Sequence, residues 1–259
     1  MLEKQGELVP GNARIRPHPD HARAGRLVLF DMDDTLFDHA LTSQEALRAL
    51  RRREPSLVRK PLAELWRAYS RLLEEAHPAV VAGEISVDES RILRFQRLIE
   101  FCGGTATRAK GRELSLQYRG LYRKLRRPVP GAHRLLERVH PRAIVGVVSN
   151  NRVAEQEEKV AFLQFGPLID FMVISEGAGV AKPDPKIFEM ALFRASVPPE
   201  NSVMIGDSWE NDVLGARAAG IRAVWFNRFG APAPEPLEVP VVTSFRRPLE
   251  VERVLLGPR

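Results

Sequence analysis

Cysteine is almost missing from this chain. Cys102 stands alone among 259 residues, which excludes an internal disulfide and suits a reducing cytoplasm. Long apolar runs are missing as well. The longest are about the length of Ala143 to Val148, far short of the roughly 20 residues a membrane span needs, so no transmembrane helix and no membrane partner are expected. The opening Met-Leu-Glu-Lys-Gln-Gly-Glu lacks the apolar centre of a signal peptide. His39, His77, His133 and His140 show no metal-ligand spacing, and no glycine-rich loop of the nucleotide-binding type is present. Lysine is scarce, with seven against 32 arginines.

What is present is a chain with 44% hydrophobic residues, enough for one large domain or two modest ones. Its formal charge of +6 is unevenly spread. Residues 40–127 hold 19 Lys and Arg against 10 Asp and Glu, or +9, so the remainder is −3 and the basic character belongs to one segment. That segment alone supports a non-enzyme reading, a basic nucleic-acid-binding protein with steeply salt-dependent affinity. Runs such as Arg51-Arg52-Arg53 are, however, ordinarily solvated helix faces, and nucleic acid is not the expected partner.

Residues 1–25, with Pro10, Gly11, Pro17 and Pro19, read as an extension. After an apolar run at Leu27 the pattern becomes helical, with apolar residues three and four apart over Thr42 to Arg53, Pro61 to Ala76, Ser86 to Phe101 and Thr107 to Arg126. Four helices without intervening strands predict a small bundle. From Pro128 onward strands and helices alternate, with strands over Ala143 to Val148, Phe171 to Ile174, Ser202 to Ile205 and Arg222 to Phe226. Such alternation predicts a parallel sheet with right-handed crossovers.

The candidate chemistry sits at the ends of those strands. Leu27-Val28-Leu29-Phe30 runs straight into Asp31-Met32-Asp33-Asp34-Thr35. A continuous apolar run suits a strand buried on both faces, and ligands of open α/β sheets bind outside the carboxyl ends of the strands. Asp31 and Asp33 are two apart, which on an extended backbone directs both to one side. Two carboxylates facing one pocket repel unless a cation or shared proton relieves them, and a hard divalent ion with oxygen ligands would do so.

Asp31-x-Asp33-x-Thr35 after an apolar strand resembles the first motif of the haloacid dehalogenase-like hydrolase superfamily, most of whose members are magnesium-dependent phosphatases. Val-Val-Ser149-Asn150-Asn resembles the second motif, the loop Ala-Lys182-Pro-Asp-Pro-Lys-Ile-Phe the third, and Gly-Asp207-Ser-Trp-Glu-Asn-Asp212 the fourth. Each alone has a plain structural explanation, such as a helix cap or a solvated lysine; four in order on successive strand exits point to a site.

The resemblance implies a doubly wound, Rossmann-like parallel core over 26–39 and 128–259, with an α-helical cap inserted over 40–127. It implies phosphate-monoester hydrolysis through an aspartyl phosphate, with a small phosphorylated metabolite of the nucleotide or sugar phosphate class as partner. Asp31 would be the nucleophile and Asp33 the acid and then the base. Lys182 would balance charge, while Thr35, Ser149 and Asn150 position the phosphoryl group. Mg2+ would be held by the Asp31 carboxylate, the Asp33 carbonyl and the Asp207 carboxylate, with Asp212 behind or beside it. A dehalogenase or a phosphomutase on the same fold are the enzymic alternatives, although a departing halide needs neither acid nor metal. The basic cap is expected to act as a lid that selects an anionic substrate, and the protein to be a monomer or homodimer.

Overall fold

The computed structural model describes residues 25–258 apart from Ala82 and 234–237. The expected N-terminal extension therefore lies, except for Gly25, outside the described residues. The chain divides into two compact units, one built from residues up to Asp38 together with those from Arg127 onward, the other from His39–Arg126.

The first unit is a sheet of six parallel strands. β1 (Leu27–Phe30), β2 (Ile144–Ser149), β3 (Phe171–Ile174), β4 (Ser202–Gly206), β5 (Arg222–Phe226) and the two-residue β6 (Val241–Val242) lie in the order β3-β2-β1-β4-β5-β6. β1 is central, with Leu27 level with Ile144 on one side and Ser202 on the other. All four of its side chains are fully buried, as the unbroken apolar run required for a strand covered on both faces. Strand order reverses between β1 and β4, and that reversal opens the crevice where ligands of such sheets bind.

Helices fill the crossovers, α6 (Ala132–Val139), α7 (Val153–Phe162), the four-residue α8 (Ser175–Ala178), α9 (Pro185–Ala195) and α10 (Gly215–Ala218), and α11 (Pro248–Leu256) follows the last strand. Leu29, Val148, Ile187, Phe188, Met204 and Trp225 share one core cluster, each buried side chain contributing about 1.5–3 kcal/mol. Gly146 on β2 is required by contact, since a Cβ there would lie 2.6 Å from the Phe171 ring and 2.8 Å from Leu29. Ahead of α10 the chain makes a π-helical turn, Trp209–Leu214. Such turns concentrate at functional sites.

The second unit holds α1 (His39–Arg51), α2 (Pro55–Val58), α3 (Leu62–Val81), α4 (Val87–Phe101) and α5 (Arg108–Leu125). The expected four helices are present. α2 was not expected, being a single turn whose start is capped by the Glu54 carboxylate accepting from Ser56 N. α3 runs on past the expected stop near Ala76 with Pro78 inside it; a proline removes only one ladder hydrogen bond. Ser86 and Thr107 cap α4 and α5 through their hydroxyls. Leu47, Leu65, Tyr69, Phe95, Leu98, Leu114 and Tyr118 form a core belonging to this unit alone. Several of its cations are matched by acids of the same unit, Lys110 lying between Glu54 and Glu113 and Arg97 beside Glu75.

Candidate active site

The site begins where β1 stops. Asp31 N still donates to Ile205 O at 3.0 Å, so the central strand and β4 deliver Asp31 and Asp207 side by side at the reversal of strand order. Asp212 follows in the π-helical turn. Its carboxylate is fixed by Ser208 N at 2.9 Å on Oδ2 and by Lys182 Nζ at 2.6 Å on Oδ1. The same ammonium donates to Asp31 Oδ1 at 2.7 Å. Asp31, Asp207 and Asp212 each offer an oxygen within 4.8 Å of the others. Lys182 and Asp212 are almost completely buried.

Three acids this close and this dry cannot all hold their charge cheaply. Burial, partly offset by Lys182 and reinforced by Asp212, raises the Asp31 carboxyl to about 7. Burial together with the neighbouring Asp31 and Asp212 raises Asp207 to about 9. For Lys182 burial alone would lower the value, but Asp212 and Asp31 outweigh it and hold the amine firmly protonated.

Gly206 makes the approach of Asp212 feasible. A Cβ there would stand 2.2 Å from Asp212 Oδ2 and 2.3 Å from its Cγ, so the strand end must carry no side chain. Thr35 is buried, its Oγ1 donating to Asp207 Oδ1 at 3.4 Å. Trp225 Nε1 holds the Asp207 carbonyl at 2.9 Å.

Two expected placements differ. Asp33 does not share the Asp31 cluster through its side chain. Partners of its carboxylate lie on α7 and just before it, about 120 residues on in the chain. Asp33 Oδ2 instead accepts from Asn151 Nδ2 and Gln156 Nε2, both at 3.0 Å, and Lys159 Nζ lies 2.5 Å from Oδ1 and 2.8 Å from Oδ2. Asn150, expected at a phosphoryl oxygen, clamps the lysine loop: its Nδ2 donates to Lys182 O at 2.8 Å and its Oδ1 accepts from Lys182 N at 2.7 Å. Ser149 ends β2 buried, accepting from Gln156 Nε2 at 2.8 Å.

Asn151, Gln156 and Lys159 were not foreseen. Gln156 and Lys159 are three apart on α7 and therefore share a face, but a polar pair at that spacing ordinarily reads as solvent-facing. Only the burial of both distinguishes them.

The site is thus a lysine-bridged carboxylate cluster at the switch point of a doubly wound sheet. The chain belongs to the haloacid dehalogenase-like hydrolase family, whose description it matches over residues 26–220. It is 32% identical over 232 residues to the phosphoserine phosphatase of Thermus thermophilus, covering 78% of this chain and 89% of that protein. In structure it is similar to the HAD hydrolase YfnB from Bacillus subtilis (TM-score 0.69, 24% identity, covering 89% of this chain and 99% of that one). It is also similar to a 2-haloacid dehalogenase from Pseudomonas syringae (TM-score 0.59, 27% identity, 88% and 97%).

Proposed function

We propose that this hydrolase is a magnesium-dependent phosphatase of a small phosphate monoester, working through an aspartyl phosphate. The observation carrying this reading is the clustering of Asp31, Asp207 and Asp212, with Lys182 bridging Asp31 and Asp212. An all-carboxylate donor set on strand exits fits a hard divalent cation, and these three acids, with the Asp33 carbonyl, would hold it. When bound, the ion would supply positive charge that lowers the repulsion between nucleophile and phosphate.

The chain's own residues do the rest. The Asp31 carboxylate attacks phosphorus, and its ester oxygen is expelled toward the Asp33 carboxyl, which gives it a proton. Asp33 then takes a proton from the water that cleaves the acyl phosphate, returning Asp31. A carboxylate meeting a phosphate anion 4 Å away is opposed by roughly 4 kcal/mol per pair of unit charges at an effective dielectric of 20. Lys182, bonded to Asp31 itself, offsets part of that. Thr35 and Ser149 hold phosphoryl oxygens, while Asn150 keeps the lysine loop in register.

The test is hydrolysis of p-nitrophenyl phosphate with and without magnesium, beside Asp31→Asn. Turnover should require the ion and fall below a thousandth in the variant, with the fold intact. The resemblance to a 2-haloacid dehalogenase supports a second reading, under which chloride release from 2-chloropropionate would survive exhaustive chelation. Asp207 and Asp212 would have no task in that reaction, which favours phosphate.

A further inference from the structure

Asp33 is anchored from behind. Lys159 is a nearly buried lysine on α7, its ammonium contacting both Asp33 oxygens at 2.5 and 2.8 Å and lying 5.0 Å from the centre of the Phe37 ring. Gln156, one turn earlier and fully buried, divides its amide group between two acceptors, Asp33 Oδ2 at 3.0 Å and Ser149 Oγ at 2.8 Å. The anchored carboxylate remains 25% exposed while its lysine partner is only 4% exposed. A purely stabilising ion pair has no need of that asymmetry. A group that must meet a reactant does, because one side has to be fixed and the other left open.

We propose that Lys159 and Gln156 are positioning residues of the reaction. Lys159 fixes the aim of the Asp33 carboxylate, and Gln156 ties that aim to the Ser149 hydroxyl, so the proton-transferring group and a phosphoryl-holding group keep one relative orientation. This rests on the phosphatase reading above. General acid–base catalysis is worth about 10²–10⁴-fold, and a carboxylate free to rotate loses part of it because effective concentration depends on aim. Neither side chain meets Asp31, Asp207 or Asp212, so their loss should leave those three carboxylates in place.

The experiment compares Lys159→Met and Gln156→Met with wild type on p-nitrophenyl phosphate and on an unactivated alkyl phosphate. In Lys159→Met, kcat should fall about 10- to 100-fold with KM within about threefold, and the alkyl ester, whose leaving group needs a proton, should suffer more. Because water attack still needs a base, the aryl ester should leave phosphorylated protein to accumulate, seen as one added phosphoryl group in the intact mass. On an Asp33→Asn background, adding Lys159→Met should bring no further loss, since the lysine acts through the aspartate. Gln156→Met, which carries no charge change, serves where Lys159→Met does not fold, and should give the same pattern more weakly. The inference is overturned alone if wild type is active and the folded variants turn over as it does, or if their losses multiply undiminished on the Asp33→Asn background. A wild type inert toward phosphate esters overturns both this inference and the reading beneath it.

Discussion

Gly206→Ala puts a methyl group where the Asp212 carboxylate already lies. The new carbon would stand 2.2 Å from Oδ2, 2.3 Å from Cγ and 2.6 Å from Cβ, against the roughly 3.5 Å of an ordinary van der Waals contact. The carboxylate must therefore retreat by about 1 Å or the strand end must shift by as much. Asp212 is 1% exposed and holds contacts of 2.6 Å to Lys182 and 2.9 Å to Ser208 N, so a retreat of that size takes both out of hydrogen-bonding range with no water to replace them. Hydrogen bonds to charged groups contribute about 1.5–3 kcal/mol each, which makes the loss about 3–6 kcal/mol. That is a large share of the 5–15 kcal/mol by which proteins are ordinarily stable. Urea unfolding followed by circular dichroism measures it, and the stabilisation given by magnesium should drop as well. In an Asp212→Gly background the three atoms nearest the methyl group are gone, and the cost should shrink to about 1 kcal/mol or less. A Gly206→Ala protein as stable as wild type, or an equal cost in both backgrounds, would refute the reasoning.

Two further outcomes follow from charge. In the folded, metal-free protein Asp31 and Asp207 keep their protons to about 7 and about 9, whereas unfolded aspartates lose them near 4. The folded state thus binds more protons between those values, so these two groups cost nothing below pH 4 and destabilise progressively as pH rises toward 9, then level off. Melting temperatures in chelator should fall across that window more steeply than in an Asp31→Asn, Asp207→Asn double variant, and magnesium should restore most at the alkaline end; equal slopes would sink the assignment. Separately, Glu252 is fully buried between Arg138 at 2.5 Å and Arg142 at 2.6 Å. Glu252→Gln should cost about 3–5 kcal/mol, as for breaking a buried pair, with kcat and KM unchanged; altered kinetics would tie α11 to the site.

The sheet was legible because apolar runs report it directly: Leu27–Phe30 and Ala143–Val148 cannot be buried on both faces in any other common arrangement. The acids at the strand ends were legible for the same reason, since Asp31 and Asp207 interrupt such runs. The partners of Asp33 were not, because Asn151, Gln156 and Lys159 stand 118, 123 and 126 residues away in the chain and nothing in the local pattern of either segment joins them. Lys159 illustrates the same limit. It lies against Asp33 and the Phe37 ring, a relation between segments that spacing within either one does not encode. For Asn150 the resemblance implies a phosphoryl contact, and nothing in the sequence shows that its amide also matches the backbone of a loop 32 residues away.

The way the chain leaves and re-enters the sheet also bears on how the protein folds. Asp38 N donates to Arg127 O at 3.0 Å, and Val129 N to Leu36 O at 2.9 Å, so the two ends of the helical unit are stitched together beside β1. β1 must find partners at Ile144 and Ser202, and closing a loop of roughly 120 residues is entropically costly. If the helices collapse on their own core first, the free chain between β1 and β2 shrinks to roughly 30 residues, lowering the closure cost by about 1 kcal/mol. The helical unit thereby becomes a short clasp in the folding of the sheet. Topologically, the sheet would close equally well around a linker of two or three residues in its place.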